Sequence, residues 1–204
     1  HPANATGTWE RTFYILGGGS WYFLLSLSVS QIRPYRLAQQ ELGECIKEVA
    51  RYVHLKANFY NQQSDFDENY KKLISQQIIA HEQQDVVREL LFKSQMMQKD
   101  STNAGRLLIL IFVDILDLFE QTMATHYDYQ AIRNTYGKTE ALYEFKQIII
   151  KLADELEHLG YHITINSRPT KLNDFQPDLE NLKSAIDRVE QELGLNNLVL
   201  KKIF

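Results

Sequence analysis

The sequence lacks the residues that several common protein classes require. It has one cysteine, Cys45, among 204 residues, which excludes an internal disulfide and any zinc site built from paired cysteines. Its formal net charge of −4 gives no basic surface of the kind that binds nucleic acid. It contains no phosphate-binding loop, no Gly-x-Gly-x-x-Gly fingerprint and no Ser-His-Asp order. We therefore predict that the chain is not an enzyme, uses no cofactor or metal, and does not bind nucleic acid.

The longest uncharged stretch runs from Thr12 to Ile32, TFYILGGGSWYFLLSLSVSQI. As an α-helix rising about 1.5 Å per residue it would be roughly 30 Å long, which matches the hydrocarbon thickness of a bilayer. A secretory signal does not fit, because no basic segment precedes the run. We predict a transmembrane helix in which Gly17, Gly18 and Gly19 allow close packing against another helix. The alternative is a buried helix or hairpin of a soluble domain.

The dipeptide Arg33-Pro34 marks a predicted boundary. Proline disfavours helical geometry in the residue before it and suits the first turn of a new helix. The boundary divides the chain into an N-terminal flank with a transmembrane helix, residues 1–33, and a soluble helical bundle, residues 34–204. Because residue 1 is His and not Met, we expect the chain to be a fragment of a longer protein.

The basic residues around the uncharged stretch predict its orientation. Arg33 and Arg36 follow it, whereas Arg11 precedes it beside Glu10. Cytoplasmic flanks carry an excess of Lys and Arg, so we expect residues 34–204 to lie on the cytoplasmic side of the membrane.

After Arg33, apolar residues recur at helical spacing and predict a bundle of about five long helices. Ser64 or Asp65 is expected to cap the second helix, and Gly160 to end the fourth. We expect residues 161–177 to be extended or a loop. The predicted helices cover residues 34–60, 65–98, 101–137, 139–159 and 178–193. The sequence therefore indicates an all-α fold.

Glu155, His158 and His162 form the first group that could carry chemistry. Glu-x-x-His is half of the di-iron motif of helical bundles, which needs the motif on two helices. The sequence contains no second Glu-x-x-His. We therefore interpret this group as a solvated helix end, with metal binding as the minor alternative.

A second group, Asp114, Asp117 and Glu120, lies in the most apolar of the predicted helices. The spacing of three residues puts the carboxylates on one broad face. We favour burial of Asp117 or Glu120 in an ion pair with Arg106 or Arg133, because an unpaired buried charge is too costly. A solvated face is the main alternative, and a catalytic pair is the weakest.

The third group lies between Ala124 and Arg133, where His126, Tyr127, Asp128 and Tyr129 follow one another. Tyr and His often bury the ring and form a hydrogen bond at its tip. We therefore predict a helix-packing cluster; the alternative is contact with a ligand.

Three segments resemble one protein family: GGGSWYFLLSL, RPYRLAQQELGECIKEVARYVHLKANFY and RLLILIFVDILDLFEQTMATHYDY. They are similar to the YccS/YhfK-type inner-membrane proteins of the fusaric-acid-resistance-like (FUSC) group, which includes aromatic-acid exporters. The resemblance runs from about Thr8 to the chain end and is weakest after Gly160. The positions that match recurring family motifs, with no role assigned to them, are Arg33, Pro34, Tyr35, Arg36, Asp117, Glu120, His126, Asp128 and Tyr129.

The resemblance implies a bacterial inner-membrane protein with two sets of membrane helices and a soluble helical domain between them. We thus expect the cytoplasmic domain, with one membrane span, of an efflux transporter for a small molecule such as an aromatic acid. Its expected partners are the lipid bilayer, the rest of its own membrane domain and a second copy of the chain. The alternative is a helical scaffold or oligomerisation module at the membrane, which the regular apolar spacing between Leu179 and Leu193 would suit.

Overall fold

The computed structural model describes residues 5–93, 103–125 and 127–193. Its helices are α1 (Ala5–Ala57), α2 (Phe66–Lys93), α3 (Asn103–Ala124), α4 (Tyr129–Tyr136), α5 (Glu140–Thr164) and α6 (Gln176–Leu193), with a 3-10 turn at Asn58–Tyr60 after α1. These ranges contain no strand, so the predicted all-α bundle is confirmed.

Helix α1 is continuous over 53 residues, and the prediction of a new helix at Pro34 is wrong. Proline has no N–H, so it removes the hydrogen bond to the carbonyl of Ser30. The loss of one bond does not end this helix, because its C-terminal half is fixed by packing in the bundle. The division into residues 1–33 and 34–204 stays a prediction.

None of the described helices combines the length and the apolar character that crossing a membrane requires. The predicted transmembrane helix over Thr12–Ile32 is therefore not supported. Gly17–Ser20 and the serines at positions 26, 28 and 30 dilute the apolar content of this stretch.

The main core forms where the C-terminal half of α1 packs against α5 and α2. Leu42, Ile46, Val49 and Val53 follow a spacing of four, three and four, and each is at most 2% exposed. This spacing puts them on one stripe of the helix. Burial of each aliphatic side chain contributes about 1.5–3 kcal/mol. The stripe therefore makes α1 the central helix of the bundle.

The predicted start of α2 is confirmed in atomic detail. The Asp65 carboxylate accepts the backbone N–H of Asp67 at 2.9 Å and of Glu68 at 3.3 Å, which satisfies two donors of the first turn. At α5, Thr139 has the same role. The predicted end of the second helix near Gln98 and the predicted start of the third at Asp100–Thr102 lie outside the described residues.

Gly160 does not end a helix, because α5 continues to Thr164. A Cβ atom on Gly160 would lie 2.7 Å from the carbonyl oxygen of Gly43, and one on Gly43 would lie 2.7 Å from that of Gly160. The two glycines thus let α1 and α5 approach each other closely. Two residues beyond the end of α5, Asn166 has a left-handed φ of 55°, which turns the chain away from the helix. Its side-chain oxygen accepts a hydrogen bond at 2.9 Å from Gln39 of α1.

We predict that Gly160→Ala lowers the free energy of unfolding by about 1–3 kcal/mol, because its methyl group would overlap the backbone of α1. Urea unfolding followed by circular dichroism measures this change. Gly17→Ala is the matched control, since a Cβ there meets nothing within 4 Å. Equal effects of the two substitutions would contradict the close approach at Gly160.

Candidate functional site

The N-terminal part of α1 carries a large exposed apolar surface. Consecutive helical residues point about 100° apart, so the side chains of runs such as Phe13–Leu16 and Trp21–Leu25 project from all sides of the helix. Eleven large side chains are between 41% and 81% exposed: Trp9, Phe13, Tyr14, Ile15, Leu16, Trp21, Tyr22, Phe23, Leu24, Leu25 and Leu27. A contiguous apolar surface of this kind marks an interaction site. We call residues 13–27 the apolar segment.

The glycines of the apolar segment have no neighbour within 4 Å of an added Cβ among the described residues. The close packing predicted for Gly17, Gly18 and Gly19 is therefore not made inside the described chain. Further along α1, the side chains of Arg33, Pro34 and Tyr35 lie outside what the structure describes, and Arg36 is exposed.

Near the C-terminal end of α1, a non-helical connection separates α3 from α4. The prediction of one helix continuing to Gly137 is wrong, because α3 ends at Ala124. The Asp128 carboxylate accepts the backbone N–H of Ala131 at 2.9 Å and starts α4. This cap was available as a signal in the sequence, since Asp is a preferred capping residue. His126 lies outside the described residues.

Lys56 of α1 binds the C-terminal end of α3. Its Nζ donates to the carbonyl of Thr125 at 3.0 Å and also to the carbonyl of Thr122. A cation stabilises the end of a helix, where carbonyl groups lack intrahelical partners. Lys56 is 8% exposed, and burial lowers its pKa from 10.5 to about 8. Sequence reasoning missed it, although it stands at a core-facing position of α1, three residues after Val53.

Arg133 of α4 binds the turn that follows α1. Its Nε donates to the carbonyl of Phe59 at 2.8 Å, and its Nη atoms donate to the carbonyls of Asn58 and Ser64. The guanidinium also lies 4.8 Å from the centre of the Phe66 ring. Its burial lowers its pKa. Among the described residues it forms no ion pair, so the predicted pairing of Arg133 with a carboxylate is wrong.

The carboxylates Asp114, Asp117 and Glu120 are exposed on α3. The opposite face of α3 contains Phe112 and Phe119, which are fully buried. The favoured burial of Asp117 or Glu120 is therefore wrong, and the alternative of a solvated face holds. The amphipathic spacing of α3 gives the reason, since the aromatic side chains occupy the core side.

Tyr129 is the centre of an aromatic cluster. Its ring centre lies 5.0 Å from that of Phe59, 5.4 Å from Tyr60 and 6.4 Å from Tyr127. The prediction that this segment serves helix packing is confirmed for Tyr129, which is 9% exposed. Burial raises the pKa of the Tyr60 and Tyr129 phenols. Both phenols thus stay neutral at physiological pH, and the cluster acts through packing.

Glu155, His158 and His162 do not form the solvated helix end that we predicted. The Glu155 carboxylate accepts the backbone N–H groups of Leu172 at 2.7 Å and Asn173 at 2.6 Å, which holds the connection between α5 and α6. The two histidines are half-buried, with 2.8 Å between their Nε2 atoms. The carboxylate and the imidazoles therefore bind different partners.

Lys56 gives a prediction for the pH dependence of stability. Its pKa is about 8 in the folded chain and 10.5 in the unfolded chain, so the unfolded chain binds more protons between these values. We expect its contribution to the free energy of unfolding to rise with pH across this window, by about 3 kcal/mol in total. Urea unfolding of the wild type and of Lys56→Met from pH 7.5 to 10.5, about three pH units, gives two free energies of unfolding at each pH. Their difference measures the contribution of Lys56. A difference that does not change with pH would contradict it.

Comparison with known proteins gives the chain its family. A family model described as FUSC-like inner membrane protein yccS matches residues 1–203. The Inner membrane protein YccS of Escherichia coli (strain K12) is 21% identical over 186 residues. That alignment covers 89% of this chain and 25% of the relative, so the chain spans about a quarter of the relative's length. No solved structure matches the chain. The chain belongs to the FUSC-like family of inner membrane proteins.

Proposed function

We propose that the chain is the cytoplasmic helical part of an inner-membrane efflux transporter for small organic acids, aromatic acids among them. The observation that supports this proposal is the difference in burial between the two halves of α1. Its C-terminal half is the centre of the bundle core, and its N-terminal half exposes apolar side chains on all sides. The two halves form one unbroken helix. Membership in a family of inner membrane proteins supports a role beside the membrane.

The apolar segment needs a partner outside the described chain. Burial of a large apolar side chain contributes about 1.5–3 kcal/mol, so its exposed residues together favour burial strongly. In this proposal the apolar segment packs against the membrane part of the complete protein. The basic residues Arg33 and Arg36, which follow it, favour a cytoplasmic position for the bundle.

The transport role rests on the family resemblance and not on a catalytic group. The pairs and clusters described above serve helix ends, packing and connections. We therefore assign the bundle a mechanical role, in which it supports the membrane part or couples its movements. Because α1 is continuous, a displacement of the apolar segment reaches the bundle core directly.

A second candidate function is a helical oligomerisation module. Helix α2 exposes Tyr70, Ile74 and Ile78, which are between 43% and 54% exposed. Their spacing of four residues forms an apolar stripe that suits a partner helix. This candidate needs self-association of the chain, whereas the first needs a membrane partner.

We predict that the chain sediments, through its apolar segment, with inner membranes that contain the membrane part of the complete protein. A triple variant with Ile15, Phe23 and Leu24 replaced by Asn should move to the soluble fraction, because it loses the apolar surface. Replacing Leu107, Leu110 and Val113 of α3 by Asn is the matched control, since these residues are also exposed. The control should stay with the membranes. Equal partitioning of the two variants would contradict the proposal.

Transport itself is tested in the complete protein. The apolar-segment variant should reduce cellular export of a radiolabelled aromatic acid, and the α3 variant should not. Unchanged export in cells that lack the complete protein would remove the efflux proposal. If, in addition, light scattering gives a dimer mass that Ile74→Asn reduces to a monomer mass, the oligomerisation module becomes the better description.

A further inference from the structure

Three side chains meet on the outer side of the contact between α1 and α5. His54 comes from α1, and Asp154 and Glu157 come from α5. One ligand atom from each, the imidazole nitrogen and a carboxylate oxygen of both acids, lies within 4.8 Å of the other two. The His54 Nε2 atom is 2.9 Å from Oδ1 of Asp154. The group is separate from Glu155, whose carboxylate binds the connection to α6.

The two carboxylates lack a permanent positive partner. In the described ranges, neither Asp154 nor Glu157 forms an ion pair with a lysine or arginine. The basic residues one helical turn before His54 and Asp154 form ion pairs with other acids. Arg51 pairs with Glu48, and Lys151 pairs with Asp178 at 2.5 Å.

On α1, Lys47 is likewise paired, with Glu44 at 2.7 Å. Like charges three residues apart on a helix destabilise it, and a bound cation would relieve this. Because the neighbouring basic residues pair with other acids, they leave the carboxylates of Asp154 and Glu157 available to a cation.

We propose that His54, Asp154 and Glu157 bind one divalent transition-metal ion, with Zn²⁺ as the best-suited ion. One imidazole nitrogen with two carboxylate oxygens is a donor set that zinc accepts at about 2.0–2.2 Å, and it leaves a coordination position open for water. Mg²⁺ and Ca²⁺ prefer sites made of oxygen atoms alone. Because the ligands come from two helices, the ion would link α1 to α5 across the main contact of the bundle.

Formation of the site needs only a side-chain adjustment. Ligand atoms that share a tetrahedral ion at about 2.1 Å are roughly 3.4 Å apart. The longest separations, up to 4.8 Å, would close by about 1 Å or more through rotation of the exposed Glu157 side chain. The His54 Nε2 and Asp154 Oδ1 atoms, now 2.9 Å apart, would move apart by roughly 0.5 Å.

The test is a zinc titration of the metal-free 204-residue chain in a mild detergent, by competition with a colorimetric chelator. We expect one equivalent of zinc to bind. His54→Gln and Glu157→Gln should each raise the apparent Kd for zinc by about tenfold or more, because each removes one of three ligands. His162→Gln is the matched control and should bind zinc as the wild type does. Zinc should also raise the Tm of the wild type and not that of Glu157→Gln.

Several results would overturn the site. These are the absence of saturable binding, a loss of affinity in His162→Gln with none in Glu157→Gln, and equal binding of Mg²⁺. Since Glu157 is exposed, its amide variant tests the site even if His54→Gln fails to fold.

Discussion

The contact between the C-terminal half of α1 and helix α5 is the constraint on which the rest of the structure depends. At Gly43 and Gly160 the two backbones approach so closely that neither position has room for a methyl group. Close approach lets the apolar stripe of α1 share one core with side chains of α5 and α2. Interiors packed in this way transmit a local shift to their neighbours. A displacement at this crossing would therefore reach every helix that shares the core.

The far end of the bundle is held by cations that bind carbonyl groups. Lys56 binds the end of α3, and Arg133 binds the turn after α1. Each joins segments more than 60 residues apart in the chain. Salt screens exposed ion pairs but affects partly buried contacts much less. The break between α3 and α4 should thus keep its geometry over a wide range of ionic strength.

Local pattern predicted the bundle and most helix positions, because periodic apolar residues and capping side chains such as Asp65 act over a few residues. Local pattern failed where the role of a residue depends on contacts with residues far away in the sequence. Glycine is a residue type that often ends a helix, yet Gly160 lies inside α5 and serves the close packing against Gly43. The apolar character of α3 favours burial of Asp117 or Glu120 in an ion pair, but burial depends on which face of α3 meets α1. Lys56 was missed because its partners lie 66 and 69 residues away.

The continuity of α1 fixes a rotational phase between the apolar segment and the bundle. Each residue of a helix advances about 1.5 Å and turns about 100°. One residue inserted between Leu27 and Ala38 would therefore turn the whole apolar segment by about 100° relative to the core stripe. Seven inserted residues would return it to within about 20° of its present direction, some 10 Å further out. The side of the segment that meets a neighbour is thus set by the number of residues in α1, as well as by their identity.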